Sequence, residues 1–351
     1  MNHSIGVIGA GAWGTAVALS LARQGYPVEI WALESDVVQS INQEHENKRF
    51  LEGFMLPDNL TASTDMVRVA TGKQFLILAS PSLYLERTVR GLETVENIRD
   101  GSTCIGVLTK GFIPSSDGPR LILETLESVL PSVYHKATVY ISGPSHAEEV
   151  AMGKVTGLIA ASENPKNAIR FRELLKSKGL LVYSSLDVIG VQICAAAKNV
   201  IAVAFGVLDA IAARSEAFGD NTESLLLAAG LNEIQLIGRA MGATHPETFT
   251  SIAGVGDLDV TCRSKFGRNN RFGHDIINER ILDGFQGIDD LISRISEIGY
   301  LPEGAVACKY VHELSVTHNL KLPISNGLYQ ILNKELAPVQ YIEQLLDGVL
   351  I

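Results

Sequence analysis

The 351-residue chain has little that would tie it to nucleic acid, metal or an oxidising compartment. Its four cysteines, Cys104, Cys194, Cys262 and Cys308, show no C-x-x-C spacing, which suits a reduced compartment better than a disulfide framework or zinc site. Its eight histidines show no H-E-x-x-H or comparable spacing, so no metal is expected. Aromatic residues make up 6% and positive charge is outweighed, leaving a net charge of −10. Such a chain is not expected to bind nucleic acid or anionic lipid through its general field, and any anion site has to be a local exception. There is no internal repeat and no low-complexity segment. One uncharged stretch, Ile5 to Ala22, is long enough to imitate a membrane span, but "MNHS" before it lacks Lys or Arg. Gly6, Gly9, Gly11 and Gly14 within it fit a tight turn better than an export signal, so a soluble cytoplasmic protein with no membrane insertion is expected.

What is present is apolar: 46% of residues are hydrophobic and 19% charged, enough for large cores and too many residues for one. The first half alternates. Strand candidates "SIGVIG", "PVEIWA", "QFLILAS" (74–80), "STCIGVLT" (102–109), "TVYISG" (138–143), "VTGLIAAS" (155–162) and "LLVYSS" (180–185) are separated by helical patterns, among them about Ala12 to Gln24 and 119–130. Alternation of this kind implies a doubly wound, Rossmann-like parallel sheet with helices on both faces. Beyond Asp187 the pattern turns helical: 187–213, then 220–242 with Asp220 and Glu223 placed like a capping box, then 288–298, 303–317, 325–335 and 338–347. The expected organisation is an α/β dinucleotide-binding domain over 1–188 and an all-α substrate-binding domain over 189–351.

Gly9-Ala10-Gly11-Ala12-Trp13-Gly14 fits G-x-G-x-x-G directly after a strand and at the start of a helix, a context that favours a dinucleotide over the alternative of a glycine-rich turn with no ligand. Gly9 permits the turn, Gly11 lets backbone approach a pyrophosphate, and Gly14 lets helix and strand pack closely, with the helix N-terminus supplying free N–H groups. The second strand runs into Leu33-Glu34-Ser35-Asp36, where Glu34 can bind ribose hydroxyls or simply be solvated. No Lys or Arg follows closely to greet a 2′-phosphate, although Lys48 or Arg49 could reverse this by folding over the pocket.

Inside "GVQICAAAKNVIAVAFGV" (190–207) stands Lys198, with Cys194, Ala195, Ile201 and Ala202 at helical spacing. Burial disfavours the charged amine and suits a proton acceptor. From this helix alone, a snorkelling or structurally paired lysine is an equal alternative. Lys110 in "TKGF" and Gly143 and Ser145 in "SGPSHAEE" follow strands, where doubly wound sheets bind ligands, and ordinary loop chemistry is the alternative for both. Arg263, Lys265, Arg268 and Arg271 fall within nine residues without an acid, the local exception in an acidic chain. Arginine suits a phosphate dianion; a solvated basic loop is the alternative.

The ordered set "GAGAWGTAVA", "TKGF", "SGPSHAEE", "CAAAKNVIAV", "GDN", "GVGDLDVTC", "GRNNRFG" and "PEG" (302–304) resembles the soluble bacterial-type NAD(P)-dependent glycerol-3-phosphate dehydrogenases over nearly the whole chain. The resemblance implies Lys198 as proton acceptor, with Lys110 and Asp257 beside it in the chemistry. It implies substrate contacts at Lys110, Gly143, Ser145, Lys198, Asp257, Gly267, Arg268 and Asn269. Cofactor contacts are implied at Gly9, Gly11, Ala12, Trp13, Gly14, Leu33, Glu34, Lys110, Ala147, Arg268, Leu301 and Glu303. The implied cofactor is NAD or NADP, with NAD favoured by Glu34 and Leu33, and the implied partners are dihydroxyacetone phosphate and sn-glycerol 3-phosphate. A homodimer is carried as one assembly such a chain could form. Three positions depart from the pattern: Gly267 for serine, His146 for phenylalanine and Ala229 for arginine. A ketopantoate-reductase-like dehydrogenase would share fold and base without needing the Arg268-Asn269 phosphate site. A non-catalytic NAD-binding or sensing protein would bind cofactor without turnover.

Overall fold

The computed structural model describes residues 3–115, 118–264 and 267–345; Lys265 of the basic run and the end of the last expected helix lie outside these. The chain divides into two compact units, Met1–Ile113 with Leu121–Val188, and Pro114–Arg120 with Ile189–Ile351.

The first unit is built on an 8-stranded sheet ordered β3-β2-β1-β4-β5-β6-β7-β8. The strands are β1 Ile5–Ile8, β2 Val28–Trp31, β3 Leu60–Ser63, β4 Phe75–Leu78, β5 Cys104–Val107, β6 Val139–Ser142, β7 Thr156–Ala161 and β8 Leu180–Ser185. Strands β1, β4, β5 and β6 are buried at every position, because helices cover both faces of the sheet. β1 pairs in parallel with β2 through Ile8↔Trp31 and with β4 through Ile8↔Leu78, so the strand order reverses at the end of β1. Such a switch point is where doubly wound sheets bind ligands.

Two features differ from the sequence expectation. β3, "LTAS", carries one large apolar residue and shows no strand pattern of its own; its ladder with β2 makes it a strand. The sheet is also not wholly parallel. β7 runs antiparallel to β6 through Ile141↔Ala160, and β8 then runs parallel to β7. After β6 the chain turns back through the short Ala147–Met152 helix and re-enters at the same edge, with Ser142 opposite Ile159, so no crossover reverses its direction.

Among the described residues of the second unit there is no strand. Its central helix, Val188–Ala212, is 25 residues long and apolar enough to cross a membrane, yet almost all of its apolar window is buried in the protein. It packs at backbone distance on the Arg268–Asn278 helix: a Cβ at Gly206 would lie 2.0 Å from the Asn270 carbonyl oxygen, and one at Gly273 would lie 2.3 Å from that of Val203. Only glycine lets these two helices approach so closely, and that approach sets the site below.

The expected capping box at Asp220 and Glu223 does not form. Gly219 is the N-cap, its carbonyl accepting from the Thr222 and Glu223 N–H groups, and the Glu223 carboxylate is drawn 2.7 Å from Arg263 instead. The 288–298 expectation resolves into an α-helix, Ile288–Ser293, and a 3₁₀ turn, Ile295–Ile298.

Candidate active site

In the first unit the Gly9–Gly14 turn has the geometry of a pyrophosphate cradle. Gly9 takes φ +120°, in the left-handed region, and a Cβ there would lie 2.9 Å from the Ala79 carbonyl carbon just past β4. A Cβ on Gly14 would sit 2.1 Å from the Gly9 carbonyl oxygen, so the Ala12–Arg23 helix packs this tightly only with glycine there. Gly11 is different: a Cβ would meet nothing within 4 Å, leaving open space in front of the backbone. Gly11 is also the N-cap, offers no side-chain cap, and the first turn holds no acid. The first N–H groups of this helix therefore keep their capacity for an anion. These residues fit a dinucleotide. The Trp13 indole N–H is buried with no hydrogen-bond partner, and Ala12 and Trp13 are half-buried at the same turn.

At the end of β2, Leu33 is 75% exposed and Glu34 half-buried. Lys48 bonds Glu44, whereas Arg49 lies 3.4 Å from Asp36, so a basic residue does stand near this strand end, already engaged with one of its carboxylates. At the other strand ends, the Lys110 ammonium donates to the Gly143 carbonyl at 3.3 Å and the Ser145 hydroxyl to the same oxygen at 2.9 Å. Gly143 takes φ +131°, and a Cβ would fall 2.6 Å from the Gly157 carbonyl oxygen. Ala147 is buried at the start of the Ala147–Met152 helix.

In the second unit Lys198 is 5% exposed and Asp257 1%. The Lys198 ammonium donates to the Asp257 carboxylate and, at 2.8 Å, to the Thr261 hydroxyl, which itself donates to the Asp257 carbonyl at 2.6 Å. Asp257 and Thr261 are one turn apart on the Asp257–Arg263 helix, so one helix face presents both groups to the amine. Lys198 is therefore not isolated in its apolar helix, since two polar side chains hold its ammonium.

The basic run does not act as a block. Arg263 is paired with Glu223 at 2.7 Å and Asp259 at 3.0 Å, and Arg271 lies 3.6 Å from Asp275 and over the Tyr300 ring. Arg268 is exposed and makes no ion pair among the described residues. It is the first residue of the Arg268–Asn278 helix, whose N-cap Gly267 offers no side chain to the helix N–H groups. A Cβ at Gly267 would lie 3.2 Å from the Ser264 carbonyl oxygen and 3.3 Å from that of Thr261, so the position is tight for the serine of the pattern the sequence resembles. Asn269 turns inward at 8% exposure: its amide donates to Asn199 at 2.9 Å and its carbonyl accepts from the Gly304 N–H at 2.9 Å. The residue beside Lys198 and the residue beside Arg268 are thus directly bonded. Gly304 follows Glu303, the first residue of the Glu303–Thr317 helix, and Leu301 is half-buried just before it.

The model of NAD-dependent glycerol-3-phosphate dehydrogenase N-termini matches residues 4–168, and that of the C-termini matches residues 187–343. The chain belongs to the NAD-dependent glycerol-3-phosphate dehydrogenase family. It is 61% identical to the glycerol-3-phosphate dehydrogenase [NAD(P)+] of Treponema denticola over 354 aligned residues, covering 99% of both chains. The enzyme of that name from Bacillus subtilis is 36% identical, with 93% of this chain and 89% of the relative covered. The crystal structure of the Coxiella burnetii glycerol-3-phosphate dehydrogenase superimposes with a TM-score of 0.86 at 32% identity, covering 99% of each chain.

Within this dehydrogenase fold two residues not singled out in the sequence stand in the cluster. Thr261 bonds Lys198, and the signal for it was its spacing of four from Asp257 in "GDLDVTC". Asn199 follows Lys198, is 3% exposed, and keeps a buried side-chain N–H group with no partner. Its place next to the lysine was visible in the sequence, but its link to Asn269, seventy positions on, was not.

Proposed function

We propose that the chain catalyses reversible hydride transfer between NAD(P)H and dihydroxyacetone phosphate, giving sn-glycerol 3-phosphate for glycerophospholipid synthesis. One observation carries the reading beyond family membership. The Asn199–Asn269 bond joins the helix that holds a buried, hydrogen-bonded lysine to the helix that offers an unpaired arginine and an uncapped N-terminus. An acid–base group and a phosphate cradle are thereby tied together, which fits a small phosphorylated alcohol or ketone.

In this reading the first unit binds the dinucleotide and the helical unit binds substrate. The N–H groups after Gly11 take the pyrophosphate, Glu34 the ribose hydroxyls, and Ala12, Trp13, Leu33 and Ala147 line the cofactor, with Leu301, Glu303 and Arg268 as further proposed contacts. The bound nicotinamide supplies or accepts the hydride. Arg268 and the first N–H groups of its helix hold the phosphate, with charge-assisted bonds worth about 1.5–3 kcal/mol each. Lys198 returns a proton to the carbonyl oxygen on reduction and removes it from the hydroxyl on oxidation. Asp257 and Thr261 fix the direction of its amine. Lys110, Gly143 and Ser145 are the further proposed substrate contacts.

The side chain of Asn269 already has two protein partners. Its proposed contribution to phosphate binding is therefore its backbone N–H, while its carboxamide positions the Lys198 helix. NAD is the proposed preference over NADP: Glu34 accepts from ribose hydroxyls, and Leu33 offers a phosphate nothing. A cytoplasmic location fits four buried cysteines that form no disulfide, and a homodimer completes the reading.

The test is turnover of dihydroxyacetone phosphate with NADH and with NADPH by the purified chain, ketopantoate being the control substrate. Reduction of ketopantoate with none of dihydroxyacetone phosphate, or cofactor binding with no turnover of either, sinks the proposal. Sedimentation of the same sample reports the assembly.

A further inference from the structure

Outside the residues used above, the first unit carries a cavity of about 310 Å³ lined in part by Ser20, Arg23, Lys154, Ser177, Lys178 and Gly179. Arg23 ends the helix that begins at the dinucleotide turn, so the cavity and that turn are separated by 12 helical residues, about 18 Å. The lining holds three cations and no carboxylate, in a chain with 29 basic and 39 acidic residues.

The cations are held in different ways. Arg23 donates to the Ala151 carbonyl, which anchors the guanidinium and leaves most of its five N–H donors for other partners. Lys154 is 2.7 Å from Glu149. Lys178 makes no ion pair or side-chain hydrogen bond among the described residues, whereas Lys48, Lys136 and Lys309 on the surface each have a carboxylate. Capping of helix carbonyls accounts for Arg23 and an ordinary ion pair for Lys154. Neither accounts for Lys178, which lies two residues past the C-cap of the Pro165–Leu175 helix, bonds none of its carbonyls among the described residues, and lines the same cavity.

The cavity is made by two loops pressed together. A Cβ on Gly179 would lie 3.0 Å from the Gly153 carbonyl oxygen, so a side chain at 179 would press on the 153–154 loop. Hydroxyls at Ser20 and Ser177 add neutral donors, and Val150 and Leu180 an apolar wall.

We propose that this cavity is a second anion site, separate from the substrate phosphate site, and that it takes a phosphate monoester with a small organic body. An arginine fork, the Lys178 ammonium and hydroxyls, with the Lys154 ammonium shared with Glu149, match a dianion better than a single carboxylate, and the volume exceeds that of phosphate alone. The phosphate can belong to a soluble metabolite or to a lipid headgroup. The loop also exposes Met152 and Val155, at 59% and 74%, as a membrane-facing site would.

The experiment follows backbone amide shifts at Gly153, Lys154 and Gly179 during titration with inorganic phosphate at constant ionic strength. Wild type and Arg268→Ala, which weakens the substrate phosphate site, are expected to show the same saturable shifts. Arg23→Ala/Lys178→Ala is expected to weaken them about tenfold or more while dihydroxyacetone phosphate turnover without added phosphate stays at the wild-type level. Lys178→Glu, a single exposed change, guards against a folding artefact and abolishes the shifts. In a second arm, sedimentation with phosphatidylcholine vesicles containing phosphatidic acid, lost in Lys178→Glu, assigns the phosphate to a lipid headgroup. Solution binding without vesicle binding assigns it to a soluble ester. Absence of both, or binding that ignores Arg23 and Lys178, overturns the site, and does so whether or not the dehydrogenase reading stands.

Discussion

Replacing Lys198 with methionine keeps the length and apolar stem of the side chain and removes its ammonium. Two consequences follow from the geometry, and they separate experimentally. The first concerns stability. Asp257, 1% exposed, loses the cation it accepts from, and breaking one side of a buried pair costs about 3–5 kcal/mol. The second concerns rate. Loss of the acid–base group lowers kcat by roughly 10²–10⁴-fold, about 3–5 kcal/mol in the barrier. Because the two costs are similar in size, a dead Lys198→Met variant by itself does not separate catalysis from misfolding. Lys198→Met/Asp257→Asn does: removing the buried negative charge together with the cation is expected to restore most of the stability and none of the turnover. Thermal unfolding, cofactor binding by fluorescence and oxidation of NADH with dihydroxyacetone phosphate are measured on all three proteins. Cofactor binding is expected to change little throughout, since the Gly9–Gly14 turn lies in the other compact unit. Wild-type turnover in Lys198→Met, or recovery of turnover in the double variant, refutes the role given to Lys198.

Arg268→Ala is expected to raise KM for dihydroxyacetone phosphate about tenfold or more through loss of about 1.5–3 kcal/mol, and to weaken inhibition by free phosphate; an unchanged KM counts against the phosphate cradle. For cofactor choice, kcat/KM is expected to be higher with NADH than with NADPH, and Glu34→Ala to narrow the gap; a wild-type preference for NADPH that survives Glu34→Ala sinks the assignment. Glu233 provides a pH test. Its carboxylate accepts from the Ile324 N–H at 2.6 Å and from the Ser325 N–H and hydroxyl at 3.0 and 2.6 Å, capping the Pro323–Leu332 helix, while burial, outweighing those bonds, pushes its pKa from 4.5 to about 7. The folded state then holds this proton more tightly than the unfolded one. Its contribution is fully present below the unfolded value and falls by about 3 kcal/mol as pH rises from there through the folded value. Glu233→Gln is expected to flatten that decline in denaturant titrations between pH 4.5 and about 7, and an unchanged slope rejects the cause.

The sequence alone carried those elements whose signal is local. Strands buried on both faces read as short apolar runs, as in β1, β4, β5 and β6, because a covered sheet leaves no polar positions to blur the pattern. The dinucleotide turn was legible for a local reason too: of its three glycines in six residues, Gly9 and Gly14 answer to close backbone and Gly11 leaves open space before the helix N-terminus. Lys198 stood out because a charge in an apolar helix is conspicuous without any knowledge of its partners. Tertiary structure decided what depends on distant partners. β3 is a strand through its ladder with β2, and β7 reverses because of where the chain re-enters the sheet. Arg263 and Arg271 looked equivalent to Arg268 in the basic run; Arg271 meets Asp275 one turn along its own helix, but only packing brings the Glu223 carboxylate, forty positions away, to Arg263. The bonds from Lys198 to Thr261 and from Asn199 to Asn269 join residues more than sixty positions apart. A side-chain hydrogen bond has no periodicity along the chain, so only the packing of one helix against another can specify it.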